Sequence, residues 1–230
     1  MNFLTKKDLR KAMKQTLTDF NEKLSWKEKH SLAENLCEKV TSLDQYKNAN
    51  LILAYIPDTL EADCTPIILD AFEKGKKVCV PKVDAEALKL GKSKMDFYFL
   101  DGSKPLEEQL ESGAYGIREP KAELKKFAGF RAAALGERVA KDCEAVAACG
   151  SGTAFTETST IQKIFMLVPG VAFTKDGKRL GHGKGFYDIY IERMKKAGLN
   201  PYLCGICLPC QLVEDIPTDE HDILMDKIVF

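Results

Sequence analysis

Apolar residues recur at helical spacing in the N-terminal part of the chain and then give way to short unbroken runs. Leu9, Met13 and Leu17 share one helical face. Thr5 ahead of them, with Asp8 three residues on, resembles a capping box in which Asp replaces the usual Glu. Ser25 and Glu28 form the better box, followed by Ala33, Leu36, Cys37 and Val40, so a second helix is expected to about residue 41. The run LILAYIP (51–57) ends at Pro57 and reads as a buried strand rather than an alternating one. Pro66 suits the first turn of a helix through IILDAFEKG, with Gly75 as its left-handed C-cap. Residues 76–83 and 95–100 read as strands, 164–173 as a strand running into a loop, and 186–198 as a helix ending at a glycine. Residues 202–208 and 227–230 read as closing strands. Strand, helix and strand in this order predict βαβ units and a mostly parallel, Rossmann-like open sheet in a single α/β domain, residues 1–230. The stretch 121–162 breaks the pattern. It holds alanine runs, a GSG and a Thr/Ser cluster, with a helix-compatible piece near 131–148, and is read as an inserted or variable segment.

A chain of 230 residues buries about 70% of its unfolded surface, enough for one substantial core. Its 34 basic and 34 acidic residues cancel, which argues against a nucleic-acid coat or an anionic-membrane binder. Lys6, Lys7, Asp8, Arg10 and Lys11 interrupt any apolar leader, and no run approaches the ~20 apolar residues of a membrane span. A soluble, cytoplasmic, monomeric protein acting on a small molecule is expected. The eight cysteines are read as thiols, since a chain of this length needs no disulfide framework. Cys204, Cys207 and Cys210 have an iron–sulfur spacing, but residues three apart on a predicted strand point to opposite faces, so a structural role is expected. His30, His182 and His221 make no metal pair at helical spacing.

The strongest local signal is KRLGHGKGFYD (178–188), between a buried strand and a helix. Glycines at alternate positions let backbone N–H groups approach a ligand, and the following helix aims its positive end back at the loop. Lys178, Arg179 and Lys184 add charge, which together describes a site for phosphate oxygens. The loop is neither a Walker A sequence nor a dinucleotide fingerprint, because Phe186 stands at the third glycine position.

In its wider context, VPGVAFTKDGKRLGHGKGFYD resembles the signature of the 5-formyltetrahydrofolate cyclo-ligase family. Lys6-Lys7-Asp8-Leu9-Arg10 matches a basic K-x-x-x-R element. Residues 61–66, EADCTP, are similar to E-V-D-T-x-P, with Cys64 in the threonine position. Residues 116–120 match G-I-x-E-P, and 217–226 resemble P-x-x-x-H-D-x-x-x-D. The resemblance implies a three-layer α/β fold and ATP-dependent, magnesium-dependent conversion of 5-formyltetrahydrofolate to 5,10-methenyltetrahydrofolate, through phosphorylation of the formyl oxygen. The folate is expected with or without a polyglutamate tail.

Phosphoryl transfer needs positioning and charge neutralisation more than a covalent nucleophile. Lys6, Arg179 and Lys184 are the candidate catalytic cations, and Lys6 and Arg10 lie i, i+4 on one helix face. The resemblance extends ATP contact to Lys6, Lys7, Asp8, Leu9 and Arg10, and to Arg179, Leu180, Gly181, His182, Gly183, Lys184, Gly185, Phe186 and Tyr187. It gives Glu61 folate contact, expected through pterin N–H donors, with Leu60, Tyr115, His182 and Phe186 beside the ring. Asp188 and Asp219 are the candidate magnesium carboxylates, and Asp222 can replace Asp219. Two rivals remain at this stage: a kinase or ligase for another small molecule sharing only the loop, and a non-catalytic folate binder.

Overall fold

The computed structural model describes residues 5–113, 116–128 and 163–230. Among these, a six-stranded sheet has the order β10-β9-β6-β1-β2-β3. The strands are β1 (Leu51–Leu53), β2 (Lys77–Val83), β3 (Met95–Phe99), β6 (Ile164–Val168), β9 (Tyr202–Ile206) and β10 (Lys227–Val229). Small hairpins pair β4 (Leu110–Ser112) with β5 (Arg118–Pro120), and β7 (Ala172–Phe173) with β8 (Arg179–Leu180). Helices α1 (Lys6–Lys23), α2 (Trp26–Ser42), α4 (Thr65–Glu73) and α6 (Phe186–Lys196) flank the sheet, with the one-turn helix α3 (Asp44–Asn48) just before β1 and α5 (Ala85–Lys89) between β2 and β3.

The unbroken apolar runs make sense once both sheet faces are covered. Ile52, Val78, Phe165, Leu167 and Cys204 feed one core with α2 and α4, through Leu36, Val40, Ile67 and Ile68. The intervening Leu51, Leu53, Cys79, Met166 and Leu203 feed the opposite core with Tyr190, Ile191 and Met194 of α6. This period-two division of fully buried strands produces the three-layer α/β architecture. Of the two capping boxes expected at the helix starts, the Ser25–Glu28 box forms in full and the Thr5–Asp8 box by half, the Asp8 carboxylate accepting the Thr5 hydroxyl instead of a backbone N–H. Thr5 accepts from the Asp8 N–H, and Ser25 and Glu28 cap each other's backbone.

Three departures have physical causes. Every main-sheet pairing is parallel except β2–β3. Residues 84–94 between those strands carry only the one-turn α5, too little for a crossover, so β3 returns antiparallel. The β1 ladder ends at Leu53 although the apolar run continues, because Tyr55 and Ile56 go on to wall a cavity at the sheet edge. Residues 121–128 belong to the sheet's cover rather than to an excursion. The Phe99 N–H donates to the Lys125 carbonyl at 2.8 Å, the Phe127 N–H to the Phe97 carbonyl at 2.8 Å, and the Phe127 side chain is buried. The remainder of the segment read as an insertion, 129–162, lies outside the described residues, as do Cys143 and Cys149 within it.

The chain runs from β1 through α4 to β2 on one side, and from β6 through α6 to β9 on the other. Strand order therefore reverses between β1 and β6, the position at which open α/β sheets part to admit a ligand. No helix among the described residues is long and apolar enough to cross a membrane.

Cys204 packs into the core under α2 and α4, whereas Cys207 packs into the opposite one, so the thiols face different layers. Burial pushes the Cys204 and Cys207 thiols up to about 12, and Cys210 to about 11. Anaerobically purified protein is expected to contain no stoichiometric iron or sulfide, and iodoacetamide should modify Cys204 and Cys207 only after unfolding. Fast alkylation of both thiols in native protein, or a bound cluster absorbing in the visible, contradicts this arrangement.

Candidate active site

A cavity of about 760 Å³ opens where β1 and β6 part. Its first wall is the loop after β1. Tyr55 donates its hydroxyl to the Ala62 carbonyl at 2.6 Å, and the Cys64 thiol donates to the Tyr55 carbonyl at 3.0 Å. Cysteine in the expected threonine position thus still supplies a donor. Within the loop, Asp58 accepts from the Leu60 N–H at 2.7 Å, and Glu61 Oε2 accepts from the Asp58 N–H at 3.1 Å. These bonds hold Glu61 with only 12% of its side chain exposed.

The second wall is the glycine loop leading into α6. Gly183 has φ +89°, and a Cβ there would stand 3.2 Å from the Arg10 guanidinium carbon, so both conformation and space select glycine. Gly185, with φ +67°, is the N-cap of α6 and offers no side-chain cap. The first N–H groups of α6 are left for an anion, favoured there by the helix dipole. Leu9 and Met13 pack with Val171, Ala172, Leu180 and Ile216, which seats the first turns of α1 against this loop. The Arg10 Nε–H then donates to the Gly181 carbonyl at 2.8 Å.

Charges are distributed unevenly among the cations. Arg179 is nearly sealed, with 5% of its side chain exposed; it donates to the Pro169 carbonyl at 3.2 Å and to Asp188 at 2.7 Å. Its guanidinium also lies over the Tyr187 ring, 5.8 Å from the centroid. The buried Arg179 Nε–H has no acceptor among the described residues. Lys6 bridges Asp219 at 2.7 Å and Asp222 at 2.5 Å. Burial alone would lower the Lys6 ammonium, but the hydrogen bonds to those two acids outweigh it and hold it above the ordinary lysine value. Asp222 also accepts the Asp219 N–H, and these bonds, overcoming burial, lower its carboxyl. Lys184 is exposed and forms no ion pair among the described residues. His182 lies 3.5 Å from Glu61, whose hydrogen bond raises the imidazole above its ordinary value despite burial of the ring.

Of the residues expected from the sequence, the cavity brings together Lys6, Arg10, Glu61, Arg179, Leu180, residues 181–187, Asp188 and Asp219, with Asp222 as well. It does not take Lys7, Asp8, Leu9 or Leu60. Lys7 and Asp8 occupy the solvent side of α1, where Asp8 serves the Thr5 cap. Leu9 is fully buried on the opposite side, and Leu60 packs against the core beneath its loop. Tyr115 lies outside the described residues. Sequence reading missed Tyr55, Ile56, Asp58, Pro81, Val83, Met95, Ile117, Arg118, Glu119 and Pro169 as lining. Ile117, Arg118 and Glu119, inside the G-I-x-E-P turn, carried a signal. Asp58 belongs to the loop after β1, and the others lie at or just beyond strand ends, where sequence alone cannot distinguish them from core.

A sequence model described as the 5-formyltetrahydrofolate cyclo-ligase family matches residues 3–136 and 146–230. The chain is 28% identical over 226 residues to the 5-formyltetrahydrofolate cyclo-ligase of Mus musculus, covering 98% of this chain and 93% of that protein. It is 27% identical over 236 residues to the enzyme of that name from Saccharomyces cerevisiae, covering 98% and 94%. Among solved structures it is similar to Aquifex aeolicus 5,10-methenyltetrahydrofolate synthetase, with TM-score 0.63, 26% identity and coverage of 97% and 88%. The fold is also that of the Mycoplasma pneumoniae 5,10-methenyltetrahydrofolate synthetase, with TM-score 0.60, 20% identity and coverage of 97% and 96%. With its glycine loop, α1 cations and Glu61 loop gathered at one cavity, the chain belongs to the 5-formyltetrahydrofolate cyclo-ligase family.

Proposed function

We propose that the chain converts 5-formyltetrahydrofolate to 5,10-methenyltetrahydrofolate at the expense of ATP, releasing ADP and phosphate. The observation that carries this reading is one cavity in which a helix start without a side-chain cap and Lys184, with no ion pair among the described residues, face a loop presenting Glu61. Following methenyltetrahydrofolate by its absorbance, with ATP and magnesium supplied, tests it. ATP use that ignores the folate would instead support a kinase for another substrate, and binding without turnover a folate-sequestering protein.

The formyl oxygen leaves poorly until it is phosphorylated. The terminal P–O bond of ATP breaks as a P–O bond to the formyl oxygen forms. Nitrogen 10 then attacks the formyl carbon, loses its proton, and phosphate departs with the oxygen. Residues 181–187 with Arg179, Lys184 and Lys6 would hold the phosphates and neutralise charge developing in transfer. The unmatched Arg179 Nε–H gives the site a buried donor in search of an acceptor, the kind of partner a phosphate oxygen supplies. Glu61 would accept two pterin N–H groups, with Ile56, Val83 and Met95 against the ring. Arg10 would position the loop through Gly181.

Magnesium bound with the nucleotide would neutralise phosphate charge. Asp188 and Asp222 fit it: each commits a single oxygen to its recorded hydrogen bonds, leaving the other for a hard cation that also takes phosphate and water. Asp222 suits better than Asp219, whose side chain is 74% exposed against 25% for Asp222.

Lys184→Ala should remove a charge-assisted contact worth ~1.5–3 kcal/mol, or about 10–150-fold in kcat/KM for ATP. Unchanged ATP kinetics in a folded variant would remove Lys184 from the site. Asp222→Asn should raise the magnesium concentration needed for half-maximal rate by roughly 10–100-fold, and Asp219→Asn far less. The reverse ranking would assign the metal to Asp219.

The His182–Glu61 contact carries a pH signature. Because the folded-state value of His182 is raised, the contact contributes fully below pH about 6.5 and fades as pH rises through the raised value. Proton NMR should find the His182 midpoint above that of an ordinary imidazole, and Glu61→Gln should bring it down. A midpoint that Glu61→Gln leaves in place would break the link.

A further inference from the structure

We propose that Gln211, which is not part of the cavity wall, is a positioning residue for the phosphate loop: its side-chain amide holds the turn after β6 on which Arg179 and Leu180 hang. This rests on the nucleotide reading above. Gln211 closes the tight helical turn Pro209–Gln211 that follows β9, and only 1% of it is exposed. Its backbone N–H donates to the Leu208 carbonyl at 2.9 Å, while its side-chain oxygen accepts the Leu208 N–H at 2.7 Å. These reciprocal bonds pin the side chain.

The amide nitrogen then faces the chain between β6 and β7. It donates to the Gly170 carbonyl at 2.7 Å and to the Val171 carbonyl at 3.4 Å, one N–H for each. The Gly170 carbonyl and the Val171 N–H belong to one trans peptide plane and point in opposite directions. Gln211 grips that plane from one side. From the other, the Val171 N–H donates to the Leu180 carbonyl at 2.7 Å, immediately before the glycine loop. The preceding plane carries the Pro169 carbonyl, which accepts from Arg179 at 3.2 Å. The Gly170 backbone also lies against Arg179, since a Cβ there would stand 3.1 Å from the Arg179 Cγ. A buried carbonyl needs a partner, and without Gln211 the plane would turn to find one, taking the Leu180 and Arg179 anchors with it. The folate side has no such dependence. The loop after β1 is held by Tyr55 on Ala62, Cys64 on Tyr55, and the bonds of Asp58 and Glu61 within the loop. A defect at Gln211 therefore separates the two ligands, which a general loss of stability does not.

The test measures kcat in wild type, Gln211→Met and Gln211→Asn. It adds titration calorimetry with magnesium and a non-hydrolysable ATP analogue, and separately with 5-formyltetrahydrofolate. Met keeps the length without the hydrogen bonds, and Asn keeps the amide but is one methylene too short. In both variants kcat should fall roughly 10–100-fold, the scale of a small misplacement of catalytic groups. Affinity for the analogue should fall roughly tenfold, with folate affinity held within about twofold. Folded variants with wild-type nucleotide affinity and kcat, or equal losses for both ligands, overturn the assignment. A second measurement needs no variant to fold: in wild-type NMR spectra the Gln211 side-chain amide protons should exchange slowly and shift when the ATP analogue binds, but not when folate binds alone. Amide protons indifferent to the analogue overturn it as well. A wild type that binds the analogue but forms no methenyltetrahydrofolate overturns the folate reading and leaves Gln211 to be judged on nucleotide affinity. A wild type without nucleotide affinity overturns both.

Discussion

The arrangement of the site depends on one buried guanidinium. A charge taken out of water is tolerated only where it is paired and hydrogen-bonded, and losing one partner of such a pair costs ~3–5 kcal/mol. Arg179 meets that condition by joining the Pro169 carbonyl just beyond β6 to Asp188 in the first turn of α6. The glycine loop is strung between these anchors, so its geometry follows from keeping Arg179 satisfied. The same guanidinium retains one N–H with no acceptor among the described residues.

The α1 helix closes the arrangement from the other side. Its core face, Leu9 and Met13, docks on the β7–β8 hairpin region, and Arg10 ties it to Gly181. Lys6 meanwhile holds Asp219 and Asp222. In the proposed mechanism Asp222 and Asp188 would hold magnesium, which would neutralise phosphate charge, and Lys6 would turn from its carboxylates to phosphate. The charges are already gathered and partly desolvated, so reorganisation is confined to a few side chains. Lys184 stands apart as a cation with no protein partner to give up among the described residues.

How much of this was legible in the sequence varies with the kind of signal. The cap residues Thr5, Ser25 and Glu28 and the unbroken runs of β1 and β6 state their structures locally, because capping and two-face burial leave residue-level marks. The glycine loop was visible too, but alternate glycines before a helix serve a tight structural turn as readily as a ligand, and only the wider motif around them set the loop apart. The β3 direction was hidden because it depends on connection length, not on β3 itself. Lys7, Asp8 and Leu9 lie inside a motif that reads as continuous, yet a helix presents only every third or fourth residue to one side, and Lys6 and Arg10 are the pair on the cavity side. Val83, Met95 and Tyr55 carry no chemical mark. Their place at the cavity is a consequence of where the sheet splits, which is a property of the whole topology.

The central claim is that the loop between β8 and α6, anchored by Arg179, receives the phosphates while the β1 loop receives the folate. A crystal structure with magnesium and a non-hydrolysable ATP analogue tests it most directly. The account predicts phosphate oxygens on the 181–187 backbone N–H groups and Lys184, an acceptor for the Arg179 Nε–H, and Lys6 moved from its acids toward the nucleotide. Phosphates seated instead against Glu61 and α2, with the glycine loop empty, would contradict it.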